Sequence, residues 1–419
     1  MSAPEIVTFG CRLNTFESEV MRRHAGEAGL GGDVVIVHTC AVTEEAERQA
    51  RQAIRRAKRA RPDARVVVTG CSAQLHPERY AAMAEVDRVV GNAAKLEPAT
   101  WQGLFAPTTP AVQVADIMAV RETSPHLVDG FDGRSRAFVQ VQQGCDHRCT
   151  FCIIPYGRGN SRSVGLGAIQ RQVEQLLAGG YREIVLTGVD LTSYGKDLPG
   201  QPTLGSMLKR LLRLVPDLAR VRVSSIDPAE VDPDLEELLT GEARVMPHVH
   251  LSVQAGSDLI LKRMKRRHLR ADVVRLAERL RVQRPELAFG ADLIAGFPTE
   301  TEAHFQETLN LVDEAGLSFL HVFPYSPRPG TPASKMPQVA KAERKERAAR
   351  LRAAGEAALD RLLQQLVGGR HDVLVERGGR GHTPHFAPIL LEGGGPDGQI
   401  VSARAERRQD GWLIGRVAA

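Results

Sequence analysis

Residues 144–155 read GCDHRCTFCIIP, a C-x3-C-x2-C pattern that directly follows the apolar, strand-like run RAFVQVQQ. The pattern contains three of the six cysteines: Cys145, Cys149 and Cys152. The other three lie upstream at near-equal intervals: Cys11, Cys40 and Cys71. A 4Fe-4S cluster that only transfers electrons normally has four cysteine ligands, so three thiolates leave one iron open to a substrate or cofactor. The two triads therefore predict an enzyme with two reactive iron-sulfur clusters.

Two other uses of the cysteines are less favoured. The N-terminus, MSAPEIVTFGCRL, lacks the basic region and apolar core of a signal peptide, and a chain of 419 residues can bury a core without disulfides. Structural zinc is the stronger alternative, because His147 could join the central triad as a fourth ligand. Zinc sites, however, typically pair two ligand units across a spacer, so clusters are the better interpretation.

Composition agrees with a large enzyme. Charged residues make up 25% of the chain and hydrophobic residues 42%, and no apolar run approaches the ~20 residues that cross a bilayer. This balance predicts a cytoplasmic protein with no membrane partner, in a compartment where thiols stay reduced. There are 55 lysines and arginines against 50 acidic residues, and the isoelectric point is near 9.0, which favours a polyanionic partner.

The first hundred residues repeat one pattern three times. Each repeat is an apolar strand that ends in a cysteine, followed by a polar, helix-like segment; the strands are IVTFGC, DVVIVHTC and RVVVTGC. Such alternation predicts an α/β domain over residues 1–110 with a parallel, doubly wound sheet. Ligands of these sheets bind beyond the carboxyl ends of the strands. We therefore expect the three upstream cysteines to converge at one edge.

A second alternation fills residues 131–366, after a weakly patterned connecting segment from about 100 to 130. Its six strand candidates are RAFVQVQQGC, REIVLTGVD, RVRVSSIDP, HVHLSVQAGS, LAFGADLIAGFP and FLHVFPYSP. Six units fall short of the eight that close a full barrel, so an open, partial (β/α)6 barrel is expected. The strand ends are rich in glycine, serine and proline, which places the functional face there.

The C-terminal part begins with a long helical segment, AERKERAARLRAAGEAALDRLLQQL. The runs that follow, HDVLVER, FAPILLE, QIVSARA and GWLIGRV, are β-prone and separated by GG and PDG turn signals. They predict a small β-barrel domain over residues 367–419.

The central cysteine motif, at the end of the first barrel strand, resembles the radical S-adenosylmethionine (SAM) superfamily. The resemblance implies that the amino and carboxylate groups of SAM bind the open iron, and that one electron from the cluster cleaves SAM to a 5′-deoxyadenosyl radical. It also implies residues that contact SAM: Gly188 and Asp190 near the amino group, Ser224 and Ser225 or Gln254 near the ribose and carboxylate, and Gly296 near the adenine.

The wider pattern resembles the methylthiotransferase family over nearly the full chain. Its motifs are the upstream triad, CDHRCTFCIIPYGRG, LTGVDLTSYG, HLSVQAGSD, DLIAGFPTET and FPYSPRPGTPA, with the β-barrel tail. In this family one cluster holds SAM, and the other carries a sulfur that a second SAM methylates before its insertion into a C–H bond. The resemblance implies a TRAM-like tail that contacts RNA and a flavodoxin-like or ferredoxin-like electron donor, and leaves the sulfur donor unknown.

The surroundings of the first two cysteines resemble one branch of the family. The segments GCRLNTFESE and HTCAVTEEA are similar to the same segments of enzymes that act on N6-threonylcarbamoyladenosine next to the tRNA anticodon. The isopentenyladenosine branch typically has Ser-Ile-Arg after the second cysteine, and the ribosomal-protein branch has Gly-Phe; this chain has neither. The alternatives are methylthiolation of isopentenyladenosine, methylthiolation of a ribosomal-protein aspartate, and, from a different class, a redox-sensing iron-sulfur protein that binds RNA.

His38 stands where the family usually has asparagine. Residues two apart on a strand share a face, so His38 and Cys40 should lie on the same side. Because a histidine ligand would close the open iron, we expect His38 to orient a cluster sulfide or a nearby backbone group instead.

Arginines near the central motif suggest RNA contacts. Arg158 and Arg162 are expected to reach an anticodon-loop phosphate or the substrate carboxylate. Two basic runs, at 48–59 and 262–267, fit solvated helix faces, although Lys265 and Arg266 could also contact phosphates. A single-stranded anticodon loop suits an enzyme that must reach C2 of a purine.

Overall fold

The structure is a computed structural model that describes residues 3–123 and 126–418. Its N-terminal part is a five-stranded parallel sheet with the strands in chain order. The strands are β1 (Glu5–Thr8), β2 (Val34–Thr39), β3 (Arg65–Gly70), β4 (Arg88–Val90) and β5 (Val112–Gln113). The helices between them are α1 (Arg12–Glu27), α2 (Glu44–Ala60), α3 (Cys71–Leu75), α4 (Pro77–Ala81) and α5 (Pro98–Gln102).

Helices cover both faces of this sheet. Met21 of α1 packs against Ile36 on one face, whereas Ile54 of α2 packs against Val35 and Val37 on the other. Alternate strand residues point to opposite faces, which is why the valine-rich strands are buried on both sides. The strand order contains no reversal, so the cysteine-bearing strands β1, β2 and β3 are direct neighbours. The short strand β5 lies in the predicted connecting segment and just beyond the predicted boundary at 110.

The central part has the six predicted main strands. It comprises β6 (Arg136–Gln140), β7 (Gln142–Gln143), α6 (Ile154–Arg158), β8 (Arg162–Ser163), α7 (Leu166–Ala178), β9 (Glu183–Thr187), α8 (Leu204–Leu214), β10 (Arg220–Val223), α9 (Pro233–Gly241), β11 (His248–Gln254), α10 (Asp258–Met264), α11 (Arg270–Gln283), β12 (Ala288–Ala295), α12 (Glu302–Glu314), β13 (Leu317–Pro324) and α13 (Lys341–Leu366). Two parallel sheets, β6-β9-β10 and β11-β12-β13, meet through isolated bridges at Val221–Val245 and Ile226–Leu251. The prediction of a partial barrel is confirmed.

The barrel has an apolar outer layer and a polar lumen. On β11 and β12, residues such as Leu251 and Leu293 belong to the core between strands and helices. Their neighbours His250 and Asp292 therefore point inward, because side chains alternate along a strand. Barrels of this kind are usually filled by branched apolar side chains. A lumen with charged and imidazole groups instead is suited to a polar ligand.

The tail forms the predicted closed barrel, in the order β14-β15-β16-β18-β17. Its strands are β14 (Arg370–Val375), β15 (Arg380–His382), β16 (Pro388–Leu391), β17 (Ile400–Gln409) and β18 (Trp412–Val417). Val373, Ile389 and Leu413 are fully buried at its centre. None of the helices in the described part of the chain is long and apolar enough to cross a membrane.

The tail also covers the bottom of the central barrel. Arg222 of β10 donates hydrogen bonds to the carbonyl oxygens of Thr383 and Pro384, at 3.0 and 2.8 Å. The Phe386 ring lies between the guanidinium groups of Arg136 and Arg222, 4.9 and 5.2 Å from its centroid. It also lies 5.1 Å from the ring of His248. Since Arg136 and His248 begin β6 and β11, the tail forms a floor below the lumen.

Candidate active site

The upstream thiols lie at the carboxyl ends of three adjacent strands. Cys11 is the N-cap of α1, Cys40 directly follows β2, and Cys71 is the first residue of α3. A Cβ at Gly10, which has φ +102°, would lie 3.1 Å from the Cys40 sulfur. The loop before α1 therefore requires a glycine in order to approach that thiol. The three thiols converge on one edge of the sheet.

The central thiols occupy the loop between β7 and α6. The backbone N–H of Cys145 donates to the Gly159 carbonyl at 3.1 Å, and that of Cys152 donates to the Cys149 carbonyl at 3.0 Å. The Thr150 N–H donates to the carbonyl of Met264, the last residue of α10. Backbone hydrogen bonds within the chain therefore hold the loop in shape, and all three of its thiols are half-buried.

Both triads have the chemistry that an iron-sulfur cluster requires. Burial raises the pKa of Cys40 to about 12, and neighbouring thiols add to the effect. Burial likewise raises the pKa of Cys152 to about 12. Thiols of this kind become thiolates only beside a cation, which iron supplies. Each group of three cysteines fits a 4Fe-4S cluster with one open iron.

The two triads lie in adjoining parts of the structure. Cys71 of the first and Ile153, which follows Cys152, pack with Ala41 in a small buried apolar cluster. A Cβ at Gly157 of α6 would lie 3.5 Å from the Cβ of Cys71. Sequence spacing alone does not predict this proximity, because the two residues are far apart in the chain and belong to different sheets.

His147 lies between two carboxylates beside the central triad. Its Nε2 lies 3.0 Å from Asp190 and 3.6 Å from Glu230, and these carboxylates raise the pKa of His147 to about 9. Cys145, His147 and Asp190 are also close enough together to hold a metal ion. The choice of a cluster over zinc at the central triad therefore rests on its three cysteines and not on His147.

Two of the predicted SAM contacts lie beside the central triad. The Asp190 carboxylate is 3.7 Å from the Cys145 sulfur and accepts a hydrogen bond from Ser193 at 2.8 Å. The N–H groups of Val189 and Asp190 donate to the side-chain oxygen of Gln142 at 2.9 and 2.8 Å. A Cβ at Gly188 would lie 2.9 Å from that same oxygen. The LTGVD strand end is therefore anchored next to the cluster loop.

The other predicted SAM contacts are more dispersed. Ser225 donates to Asp292 at 3.0 Å and lies 3.1 Å from Ser252, inside the lumen. Gln254 stands at a strand irregularity with φ +78°. Gly296 directly follows β12 with φ +73°, and its N–H donates to Glu300 at 2.9 Å. The last two stand at strand ends on the functional face, and their contact with SAM remains a prediction.

Arg266 lies beside the central triad, whereas the sequence suggested that it could contact an RNA phosphate. Its guanidinium lies 3.7 Å from the Cys149 sulfur and donates to Asp227 at 3.0 Å and to the Ser252 carbonyl at 2.5 Å. The side chain is buried, so Arg266 is not available to an RNA phosphate on the surface. Nothing in the basic run 262–267 distinguishes this arginine from its exposed neighbours.

The expectation that Arg158 and Arg162 bind substrate is not supported by their positions. Arg158 is 2% exposed, and its guanidinium donates to both oxygens of Glu17 at 2.8 and 2.9 Å and to Gln143 at 2.6 Å. Arg162 is also buried and donates to the carbonyl oxygens of Arg158 and Asn160 at 2.9 Å. Arg158 connects α1 with the region of the central cluster loop, whereas Arg162 binds the backbone at and just after the end of α6.

Glu17 is the centre of this buried network. Burial alone would raise its pKa, but Arg158 and Lys95 hold the pKa well below its usual range. Lys95 donates to Glu17 at 2.7 Å and lies 2.9 Å from Nε2 of His38, whose Nδ1 lies 3.0 Å from the Ser18 hydroxyl. His38 therefore supports two side chains instead of the expected cluster sulfide or backbone group. Both of its ring nitrogens are occupied, which agrees with the prediction that it is not a ligand.

Replacing His38 with asparagine should leave both clusters in place but weaken the fold. The shorter side chain cannot span both Ser18 and Lys95, so one buried partner loses a hydrogen bond at a cost of about 1–3 kcal/mol. Urea unfolding and iron analysis of His38→Asn measure the two effects. Ser18→Ala is the matched control and should cost less, because Lys95 keeps its imidazole partner. Loss of iron from His38→Asn at full folding would show that the imidazole is a ligand.

Comparison with known proteins defines the class first. Residues 139–312 match the model of the Radical SAM superfamily, and residues 4–91 match the model described as Uncharacterized protein family UPF0004. The first match contains the central triad, and the second contains the upstream triad. With the partial barrel and its half-buried C-x3-C-x2-C loop, these matches define a radical SAM enzyme that uses SAM and 4Fe-4S clusters.

Full-length relatives define the family. The chain is 53% identical to the threonylcarbamoyladenosine tRNA methylthiotransferase MtaB of Rickettsia prowazekii, over 98% of this chain and 96% of the relative. It is 34% identical to the enzyme of the same name from Bacillus subtilis, over 92% and 89% of the two chains. A tRNA-2-methylthio-N(6)-dimethylallyladenosine synthase of Ruegeria pomeroyi is 34% identical over 100% of both chains. The chain belongs to the methylthiotransferase family of radical SAM enzymes.

Solved structures agree with the fold. The radical SAM methyltransferase TsrM of Kitasatospora setae, with cobalamin and a 4Fe-4S cluster bound, superposes with a TM-score of 0.52 at 18% identity. The superposition covers 72% of this chain and 66% of that one. At this identity the likeness concerns the fold alone.

Proposed function

We propose that this protein adds a methylthio group to C2 of N6-threonylcarbamoyladenosine next to the anticodon of tRNA. The observation that carries the proposal is the 53% identity, over nearly both full chains, to a relative named for that substrate. Relatives named for dimethylallyladenosine are 34% and 38% identical. The residues after the first two cysteines, GCRLNTFESE and HTCAVTEEA, support the same choice.

The side chains form two neighbouring sites that have different roles in the proposed reaction. SAM and the clusters, when bound, supply a carbon radical and an activated sulfur. The chain holds one thiolate triad on the N-terminal sheet and the other on the barrel, and the Arg158–Glu17 contact keeps the two together. Arg266 places a positive charge beside Cys149. The polar lumen receives the purine, and the floor formed around Phe386 limits the entry of water from below.

The anticodon loop is the part of tRNA that we expect to enter. Its bases are single-stranded and can turn out of the stack, so C2 becomes accessible without opening a helix. We place the reaction in the cytoplasm with this tRNA and a flavodoxin-like or ferredoxin-like electron donor. The half-buried position of the central triad supports electron delivery from outside.

Nucleoside mass spectrometry of tRNA from a deletion strain tests the proposal. The deletion should remove 2-methylthio-N6-threonylcarbamoyladenosine and leave its unmethylthiolated precursor in place. Loss of the methylthio derivative of isopentenyladenosine instead would support the other tRNA branch. Unchanged nucleosides, together with no 5′-deoxyadenosine from the purified protein, would favour a redox-sensing RNA-binding protein.

The tail has two functions that separate variants can distinguish. Arg370 and Arg404 are exposed register partners on β14 and β17, and replacing both with serine should lower the slope of log K against log salt by roughly 0.7–0.9 per lost phosphate contact. Phe386→Ala should leave that slope unchanged. It should instead destabilise the protein by somewhat less than the ~3–5 kcal/mol typical of fully buried phenylalanines, because the ring is only half-buried.

Salt-titrated tRNA binding and urea unfolding measure the two effects. Truncation at Gly368 should also weaken tRNA binding and flatten its salt dependence. It is a less specific test, because it also deletes the carbonyl groups that accept hydrogen bonds from Arg222. If Phe386→Ala flattened the salt dependence as much as the double serine variant, the floor would itself be an RNA contact.

A further inference from the structure

The lumen contains a cluster of three side chains from three adjacent strands. His250 of β11 and His321 of β13 both contact one oxygen of Asp292 on β12, with Nε2 and Nδ1 each 3.1 Å from Oδ1. The Ser225 hydroxyl donates to the other oxygen, Oδ2, at 3.0 Å. The two imidazole rings lie 4.4 Å apart. The methylthio chemistry described above assigns no role to this cluster.

Among the described residues, two ring nitrogens of the cluster have no hydrogen-bond partner, Nδ1 of His250 and Nε2 of His321. Burial alone would raise the pKa of Asp292, but bonds from His250 and His321 hold the pKa well below its usual range, so Asp292 is an anion whose oxygens are occupied. The Nδ1 of His250 faces the β12 backbone, where a Cβ at Gly290 would lie only 2.5 Å away. His321 uses Nδ1 for Asp292, and its side chain is 58% exposed. Of the two unpaired nitrogens, Nε2 of His321 is therefore the one on an exposed side chain that a ligand can reach.

Arg12 brings a positive charge to the same space. It is the first residue of α1 and follows Cys11. Helix α1 packs against the barrel, with its Phe16 and Val20 in the same apolar core as Phe138 and Val139 of β6. The charges of Arg136, Arg222 and Asp292, on three barrel strands, act on Arg12. Within residues 3–123 and 126–418, the Arg12 guanidinium makes no hydrogen bond or ion pair. The carboxylates Glu183 and Asp292 already have partners, so this cation lacks an anion.

We propose that Arg12 and the doubly protonated form of His321 bind the carboxylate of the N6 substituent of the target nucleoside, with Asp292 positioning His321. Because an ionised carboxylate only accepts hydrogen bonds, Nδ1 of His321 carries a proton toward Asp292, and Nε2 donates to a second carboxylate only when it carries a proton as well. This inference rests on the proposed function and identifies residues that would determine its specificity. The threonylcarbamoyl group carries a carboxylate, whereas an isopentenyl group is apolar and would leave Arg12 without a partner. A guanidinium binds a carboxylate through parallel, charge-assisted hydrogen bonds.

We expect strong discrimination against substrates without a carboxylate, because such a substrate leaves polar groups of the site unpaired. Sites built around a polar partner reject analogues that lack it by factors up to ~10⁴–10⁵, since buried polar groups are then left unpaired. The lumen is partly open at His321, so we expect roughly a 100-fold preference for a carboxylate over a neutral carboxamide of the same shape.

The experiment uses the reconstituted holoenzyme and two anticodon stem-loop RNAs. One bears N6-threonylcarbamoyladenosine, and the other bears the same group with its carboxylate converted to a carboxamide. The wild-type kcat/KM should favour the carboxylate roughly 100-fold. Arg12→Gln and His321→Gln should each reduce that ratio at least tenfold, by lowering kcat/KM for the carboxylate RNA only. Arg182→Gln, an exposed arginine outside the lumen, should leave the ratio unchanged.

Further readouts separate this proposal from other roles of the same residues. Because Arg12 follows the predicted cluster ligand Cys11, the result for Arg12→Gln counts only if the variant retains its iron. His321 is far from the cysteines in the sequence, so His321→Gln gives an independent result. An unchanged ratio in both variants would overturn the proposal, as would a raised KM for SAM at an unchanged ratio. Stoichiometric non-iron metal that disappears in His321→Gln would also overturn it. A wild-type enzyme that ignores both RNAs and modifies isopentenyladenosine would contradict the proposed function itself.

Discussion

Replacing Cys11, Cys40 and Cys71 together with alanine should abolish the methylthio product while SAM cleavage continues. These thiols converge at the carboxyl ends of β1, β2 and β3, on a different sheet from the loop with Cys145, Cys149 and Cys152. The upstream triad delivers sulfur in the proposed reaction, whereas radical formation depends on the central triad. Anaerobic assays of 5′-deoxyadenosine and of modified nucleoside on the same samples measure both outcomes.

The matched control removes the central triad instead. Each triple variant should retain about four irons after reconstitution, compared with about eight in the wild-type protein. Only the variant of the upstream triad should still produce 5′-deoxyadenosine. If this variant were folded, held one cluster and cleaved no SAM, the division of labour between the clusters would be wrong. Stoichiometric zinc would contradict the cluster assignment altogether.

Arg158→Met should destabilise the protein by about 3–5 kcal/mol, because it removes one partner of a buried ion pair. Arg158 and Glu17 are 2% and 0% exposed, and their two hydrogen bonds measure 2.8 and 2.9 Å. The methionine side chain fills similar space but leaves Glu17 with Lys95 as its remaining charged partner. Urea unfolding of the metal-free protein measures the change in the free energy of unfolding. The variant should also lose methylthiolation, since the pair connects the two cluster sites.

The pH dependence of the free energy of unfolding of the wild-type protein also tests the role of Glu17. The folded-state pKa of Glu17 lies well below its usual range. Its contribution to stability is therefore present above the unfolded-state pKa of about 4.3 and is lost as pH falls below it. Glu17→Gln should remove this component. The control is Arg182→Met at an exposed position, which should leave the midpoint of urea unfolding unchanged. If Arg158→Met also left this midpoint unchanged, the ion pair would not stabilise the fold.

Local patterns predicted much of the architecture. Apolar runs ending in cysteine became β2 and β3 with Cys40 and Cys71 at their carboxyl ends. The six main barrel strands, the long helix α13 and four of the five tail strands also follow from periodicity and turn residues, whereas the short tail strand β15 was missed. The short strand β5 was missed because two residues carry almost no pattern of their own. Its formation depends on pairing with β4.

Arginine roles were the least predictable feature. Arg158 was expected to meet substrate because it follows the cluster motif, and Arg266 was expected at the surface because it lies in a basic run. Both are buried in ion pairs with partners distant in the chain: Glu17 is 141 residues from Arg158, and Asp227 is 39 residues from Arg266. The sequence around an arginine does not show whether its guanidinium binds RNA at the surface or a buried carboxylate.

The sequence by itself determined the two cysteine triads, the order of the three folded parts and the resemblance to methylthiotransferases, because cysteine spacing and hydrophobic period are local properties of the chain. Only the tertiary structure decided which residues share a space: Cys71 with Ile153, Phe386 with His248 of the barrel, and Arg158 with Glu17. These contacts join segments far apart in the chain. They depend on how whole sheets pack, and no local pattern encodes that packing.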